Sequence, residues 1–183
     1  MKIISTPIKD LFIIEPNIFY DKRGYFFEPF NEKKFNQKFP HIKFCQDNES
    51  QSDFGILRGL HYQLPPKPQT KLVRVIRGKV LDVAVDIRNG SPTFAKHFSV
   101  ELSGENKKQL LIPRGFAHGF VVLSDYAVVS YKVDNFYESK LDRGIIFNDK
   151  DLKIDWKIKN SKIKLSSKDE KLSSFKDARL FDY

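Results

Sequence analysis

The chemistry available to this chain starts at one stretch, Ile56-Leu57-Arg58-Gly59-Leu60-His61-Tyr62-Gln63. It is apolar enough to read as a strand, yet it carries a cation, a glycine and an imidazole. Burying a charge or an imidazole is costly unless the group is paired or used, and histidine is the side chain whose proton moves most readily near neutral pH. Strict alternation places Leu57, Gly59 and His61 on one face, with Arg58, Leu60 and Tyr62 on the other. Arg58 and His61 can serve one cavity only if the strand bulges, and Gly59 is the residue that would permit it. The plainer alternative is a half-buried strand whose His61 bonds a backbone carbonyl.

Other reactive types follow at strand spacing. Lys71 shares a face with Val73 and Val75, so it either opens a strand toward a cavity or sits at a surface strand end. Asp82, Ala84 and Asp86 alternate with Val83, Val85 and Ile87. That places two carboxylates on one face, and taken alone the pattern favours solvent over a polar cavity. Tyr131 shares a face with Val129 and Val133, as a proton donor or as a core tyrosine with its hydroxyl satisfied. Lys168-Asp169, in a lysine-rich tail, signals nothing by itself.

Pro113-Arg114-Gly115-Phe116-Ala117-His118 matches the P-x-G-x-x-H element of the second cupin motif, a turn leading into a strand whose histidine faces a barrel interior. The first cupin motif supplies H-x-H and then a glutamate as metal ligands. Here the equivalent region offers His61 and then Gln63, with no second histidine and no glutamate before Gly78. A three-ligand site needs imidazole or carboxylate at such spacing. The pattern therefore predicts a cupin-like barrel without its metal.

The elements that must position these groups are mostly strands. At 183 residues the chain is long enough for one domain with its own core. Forty per cent hydrophobic content and 17 phenylalanines suit a β-rich fold. We expect strands over 11–15, 25–28, 44–48, 71–77, 79–88, 94–102, 109–113, 118–123 and 127–133. A helix is expected over 31–39, capped by Asn31 and ended by Pro40. Turns recurring at these intervals indicate a sandwich or barrel. Order beyond Leu141 is not legible. Cys45 is the only cysteine, which points to a reducing compartment. With no charged-then-apolar leader and no span-length apolar run, a cytoplasmic protein away from membranes is expected. The net charge of +9 favours anionic partners. Much of it lies at Lys157, Lys159, Lys162, Lys164, Lys168 and Lys171, where alternation with Ile158 and Ile163 reads as an exposed, edge-protected strand. No nucleic-acid recognition pattern accompanies it, so nucleic acid is not expected as a partner.

Read together, these residues resemble the dTDP-4-dehydrorhamnose 3,5-epimerases. The matching text is Asp21-x-Arg23-Gly24-x-x-x-Glu28, Gln46-Asp47-Asn48, Leu57 to His61, Lys71 to Arg74, Asp82 to Arg88, Ile112 to Phe120, Tyr131-Lys132, Gly144-Ile145, Asn148-Asp149 and Leu165-Ser166-x-Lys168-Asp169. The resemblance implies a mainly β, cupin-like jelly roll over 1–183, with an N-terminal arm (about 1–50) contributing to a homodimer. It also implies cofactor-independent epimerisation of a dTDP-4-keto sugar. His61 would be the base, oriented by Asp169, and Tyr131 the acid on the opposite face of the sugar. Lys71 would support the enolate oxygen, and His118 would contact the sugar. Arg23, Arg58 and Lys168 would meet diphosphate or substrate, with Arg23 and Glu28 reaching the neighbouring subunit's site. Glu28, Gln46, Asp47 and Asn48 would bind the nucleotide, and Tyr137 would stack on its base. Asp142 stands where the family commonly has glutamate, and Leu111 and Phe147 replace common tryptophans. Competing readings are a single-centre epimerase or ketoisomerase on a related nucleotide sugar, and a non-catalytic cupin that binds an anionic sugar. Binding alone, however, does not call for a base and an opposed acid.

Overall fold

The computed structural model describes residues 1–182. The chain opens with β1 (Lys2–Ser5) and β2 (Phe12–Glu15), then a hairpin of β3 (Ile18–Asp21) and β4 (Gly24–Phe27). A short helix, α1 (Glu32–Asn36), precedes β5 (Gln46–Asp53), β6 (Leu57–Gln63), β7 (Lys71–Arg77), β8 (Lys79–Asp86) and the two-residue β9 (Arg88–Asn89). Next come β10 (His97–Ser103), β11 (Gln109–Ile112), β12 (Phe116–Val122) and β13 (Tyr126–Val133). The C-terminal region adds β14 (Asp142–Gly144) and β15 (Phe181–Asp182). A six-stranded sheet runs β1-β2-β11-β7-β13-β5, and a five-stranded sheet runs β10-β8-β12-β6-β14. Both large sheets are antiparallel, and they form the sandwich that the strand spacing predicts, with the cupin-like character that the resemblance implies.

Apolar burial is divided into three layers. Between the sheets, Val73 and Val75 of β7, Leu110 and Ile112 of β11 and Val129 of β13 pack with Val80 and Ala84 of β8 and Phe116, Phe120 and Val122 of β12. Outside the five-stranded sheet, Leu57, Leu60, Tyr62, Val83, Val85 and Val121 are covered by C-terminal residues including Leu152, Trp156, Phe175 and Phe181. Outside the six-stranded sheet, Leu72 and Leu111 pack under Phe35, Phe39 and Ile42. Strand β8 is thus buried on both faces, which explains why Lys79–Asp86 is almost wholly enclosed.

Three expectations need correction. The carboxylates of β8 do not face solvent, since Asp82 and Asp86 are both 0% exposed. Asp86 is satisfied by Arg88, Ser91 and Thr93. The helix is shorter than 31–39: Asn31 caps it as expected, but helical geometry ends at Asn36, and Phe39 closes a last turn through its N–H to the Phe35 carbonyl at 3.0 Å. The lysine run is not a strand. It holds a 3-10 turn at Asn160–Lys162, a left-handed Lys157 (φ 63°) and a single bridge from Lys164 to Ile56. Its isoleucines pack on the outer core of the five-stranded sheet, and that accounts for the alternation. Among the described residues no helix is long and apolar enough to cross a membrane.

Candidate active site

Strand β6 bulges where the sequence requires it to. Its pairing with β12 matches His61 to His118 and Arg58 to Phe120, so one residue is gained on β6 between the two points. The extra residue is accommodated at Gly59, whose φ is +125°. A side chain there would meet the Gly119 Cα at 2.6 Å and the His118 carbonyl at 2.7 Å. Gly119 is confined in turn, because its own Cβ would approach the Arg58 carbonyl at 2.8 Å. Two glycines facing each other across the strand pair let the backbones close up. The resulting change of parity turns Arg58 and His61 to one side, while Leu57, Leu60 and Tyr62 stay in the outer core.

That side is a cavity of about 540 Å³ between the sheets, lined among others by Arg58, His61, Lys71, His118 and Tyr131. Its far wall comes from the C-terminal region. The segment 164–173 is tied down by the Lys164 N–H to Gly55 at 2.9 Å, the Leu57 N–H to Lys164 at 3.0 Å and the Ile146 N–H to Ser173 at 2.9 Å. This strap delivers Leu165, Ser166, Lys168 and Asp169 to the cavity.

Two histidine–carboxylate pairs stand side by side on β6 and β12. Nε2 of His61 lies 2.8 Å from Asp169 Oδ1. Nδ1 of His61 is enclosed, and it has no hydrogen-bond partner among the described residues. Burial alone would raise the Asp169 carboxyl, but the His61 hydrogen bond and charge, the Ser166 hydroxyl and the Gly59 N–H outweigh it and hold the carboxyl below its ordinary value. In the second pair, Nε2 of His118 lies 3.0 Å from both oxygens of Asp82. Burial lowers the Lys71 ammonium to about 8, against the opposing pull of Asp142 and Asp82. Burial likewise raises the Tyr131 phenol, with Arg58 acting against the shift and Asp142 adding to it. Asp142 closes the rim, accepting from the Tyr137 hydroxyl at 3.1 Å and pairing with Lys168.

A family model described as dTDP-4-dehydrorhamnose 3,5-epimerase matches residues 5–177. A dTDP-4-dehydrorhamnose 3,5-epimerase of Shigella flexneri is 52% identical over 182 residues, 99% of each chain. The chain belongs to the dTDP-4-dehydrorhamnose 3,5-epimerase family. Among solved structures, the family enzyme of Elizabethkingia anophelis NUHP1 superposes with a TM-score of 0.93 at 54% identity, covering 97% of both chains. The dTDP-6-deoxy-D-glucose-3,5-epimerase of Legionella pneumophila Philadelphia 1, solved with dTDP-4-keto-L-rhamnose, gives 0.95 at 46% identity, covering 100% of this chain and 98% of that one.

Within this family fold the residues singled out in the sequence divide into two groups. The cavity gathers His61, Lys71, Tyr131, Asp169, Arg58, His118, Tyr137, Asp142 and Lys168. Asp142, although shorter than the family's usual glutamate, still reaches both Tyr137 and Lys168. Arg23, Glu28, Gln46, Asp47 and Asn48 do not line this cavity. Arg23 is exposed at the tip of the β3–β4 hairpin and pairs with Asp21. Glu28 holds Asn31 and Lys34. Gln46 bonds Asn48 at 2.7 Å, and Asp47 pairs with Lys132 at 2.8 Å. Gln63, at the position where a second metal ligand would follow His61, is a loop staple. Its amide donates to the Lys67 and Phe136 carbonyls and accepts from the Glu138 N–H. Asp82 escapes sequence reasoning as a member of the site, because its alternation with Ala84 and Asp86 looks the same on a wet face as on a buried one.

Proposed function

We propose that this chain epimerises dTDP-4-dehydro-6-deoxy-D-glucose at carbons 3 and 5, giving dTDP-4-dehydro-L-rhamnose. The observation that carries the reading is one cavity bounded by the His61–Asp169 pair, Tyr131 and Lys71. A keto group acidifies the protons on both neighbouring carbons, so inversion needs a base on one face of the sugar, an acid on the other and support for the enolate between them. In this reading His61 removes the proton. Asp169 fixes the tautomer through Nε2 and stabilises the imidazolium. Nδ1 is enclosed here, so the reading also requires the imidazole to turn toward the sugar as it enters. The Tyr131 hydroxyl returns a proton from the opposite side. In this reading the Lys71 ammonium stabilises the enolate oxygen, and losing one such preorganised donor generally costs about 2.7–4 kcal/mol of barrier. Arg58 and Lys168 supply positive charge for the diphosphate, and Tyr137 offers an exposed ring for the base.

The reading extends to a homodimer in which the β3–β4 hairpin of one subunit reaches the site of the other. In support, that hairpin forms a two-stranded sheet paired with no other strand among the described residues. It also exposes Phe19 (62%), Tyr20 (72%) and Phe26 (68%), a surface expected to be covered by a partner.

Proton NMR of dTDP-4-dehydro-6-deoxy-D-glucose with the protein in heavy water tests the chemistry. Solvent deuterium should appear at both carbons, with formation of the L-configured product. His61→Ala should stop exchange and epimerisation together. Tyr131→Phe should lower epimerisation about 10²–10⁴-fold while sparing more of the exchange, because His61 still removes and restores a proton on its own face. Exchange confined to one carbon would convert the assignment to a single-centre epimerase, and equal mild effects of both substitutions would remove the base and acid assignments.

A further inference from the structure

Main-chain pairing between β7 and β13 ends at Lys71 and Val133. Beyond that point one side of the ladder is Leu64-Pro65-Pro66-Lys67-Pro68-Gln69-Thr70, whose prolines cannot donate to a partner strand. Side chains take over the joining. Asp134 accepts the Thr70 N–H at 2.6 Å, Gln69 donates to the Asn135 carbonyl at 2.8 Å, and Asn135 donates to the Pro68 carbonyl at 2.7 Å. The outermost tie is Gln63, which is 3% exposed. Its amide brackets Tyr137: the nitrogen donates to the Phe136 carbonyl at 3.0 Å, and the oxygen accepts the Glu138 N–H at 2.8 Å. The second amide hydrogen goes to the Lys67 carbonyl, so both hydrogens are used. The main chain of Gln63 also lies in register with Asp142 of β14, which accepts the Tyr137 hydroxyl at 3.1 Å.

We infer that Gln63 is a positioning residue for the nucleotide: it fixes the backbone on both sides of Tyr137 and so holds that ring in place for the base. Tyr137 is 57% exposed, so packing alone does not order it. A ring that must be ordered as the ligand binds lowers affinity, and one ordered beforehand does not. Gln63 is not among the residues lining the cavity, so it acts through Tyr137 and not by touching the ligand. The inference rests on the reading of Tyr137 as the ring that meets the base.

Isothermal titration of the full chain with dTDP tests it without turnover. Gln63→Met keeps the length and bulk of the side chain and removes all three hydrogen bonds. It should raise the dissociation constant for dTDP about tenfold, raise KM in step and leave kcat within about twofold. Gln63→Glu is a second variant that retains an acceptor for the Glu138 N–H but has no donor for either carbonyl, and it should weaken dTDP as well. Tyr137→Ala should weaken dTDP by itself. Adding Gln63→Met to it should change the constant by less than about twofold, because the ring through which Gln63 acts is gone. Wild-type affinity for dTDP in a folded Gln63 variant overturns the inference. So does an equal loss with and without Tyr137, or a fall in kcat with KM unchanged. Failure of both Gln63 variants to fold would make Gln63 a residue of the fold and overturn it too. Wild-type binding of dTDP by Tyr137→Ala would remove the stacking reading and this inference with it, whereas wild-type binding by Gln63→Met alone would leave that reading standing.

Discussion

At Lys71, burial and charge pull in opposite directions. Burial brings its ammonium to about 8, with Asp142 and Asp82 limiting the fall. If the cation supports the enolate, turnover should decline as pH rises through about 8. The basic limb should be absent from Lys71→Met, which should itself retain little activity. The stability consequence has the opposite sense. An unfolded lysine titrates near about 10.4, so between about 8 and 10.4 the unfolded chain binds more protons than the folded one. Over that window the contribution of Lys71 to stability rises with pH. At neutral pH the folded protein carries a cation it would hold more easily when unfolded, so Lys71→Met should stabilise the fold by about 1–3 kcal/mol in a denaturant titration. A loss of stability would mean that the pairing with Asp142 and Asp82 outweighs the desolvation. His61, Lys71 and Tyr131 are legible in the sequence because their types are conspicuous in apolar strands. Asp169 is not legible by spacing, since only the docking of the strap brings it to His61, and it enters solely through family likeness. Asp82 is readable as one of two carboxylates on a face, but not as buried, because that depends on β8 lying between β10 and β12.

The bulge of β6 is the element on which the site turns. Gly119→Ala should drive a methyl toward the Arg58 carbonyl and the Gly59 Cα, at 2.8 and 3.2 Å before relaxation. Overpacking of this kind should destabilise the fold by about 1–3 kcal/mol in chemical denaturation. Turnover, measured where the variant is still folded, should fall by about 10²-fold, because the same displacement shifts His61 and His118. Unchanged turnover in the folded variant would detach the bulge from catalysis. The need for a bulge can be read from Arg58-Gly59-Leu60-His61, because two polar groups three residues apart cannot share a face of a regular strand. The facing Gly119 cannot, since it depends on the register with β12. Most strands lie within a few residues of their expected bounds, as alternation and turn residues record them locally. The lysine run misleads for the same reason: local alternation looks alike in a strand and in a series of turns packed on a core.

At the scale of the whole molecule, the proposed sharing of the site between two subunits can be tested by complementation. On that proposal an Arg23→Ala/Glu28→Ala chain would lack a working arm, and a His61→Ala chain would lack the base. Each alone should be nearly inactive. Co-expressed in equal amounts, about half of the dimers should be mixed, and each mixed dimer should hold one complete site, giving about a quarter of wild-type turnover. No recovery would confine Arg23 and Glu28 to their own subunit or remove them from the reaction. The strap has another consequence, for how such an enzyme wears out. His61 belongs to the sheets, whereas Asp169 belongs to a segment attached through a few backbone bonds at Gly55, Leu57 and Ile146. Peeling that segment back exposes far less apolar surface than separating the sheets, so its local opening lies well below global unfolding in free energy. If Asp169 orients the base as proposed, turnover should fade on warming before the sheets melt. The working range of the catalyst would then be set by the seam at its C-terminal end and lie below its melting point.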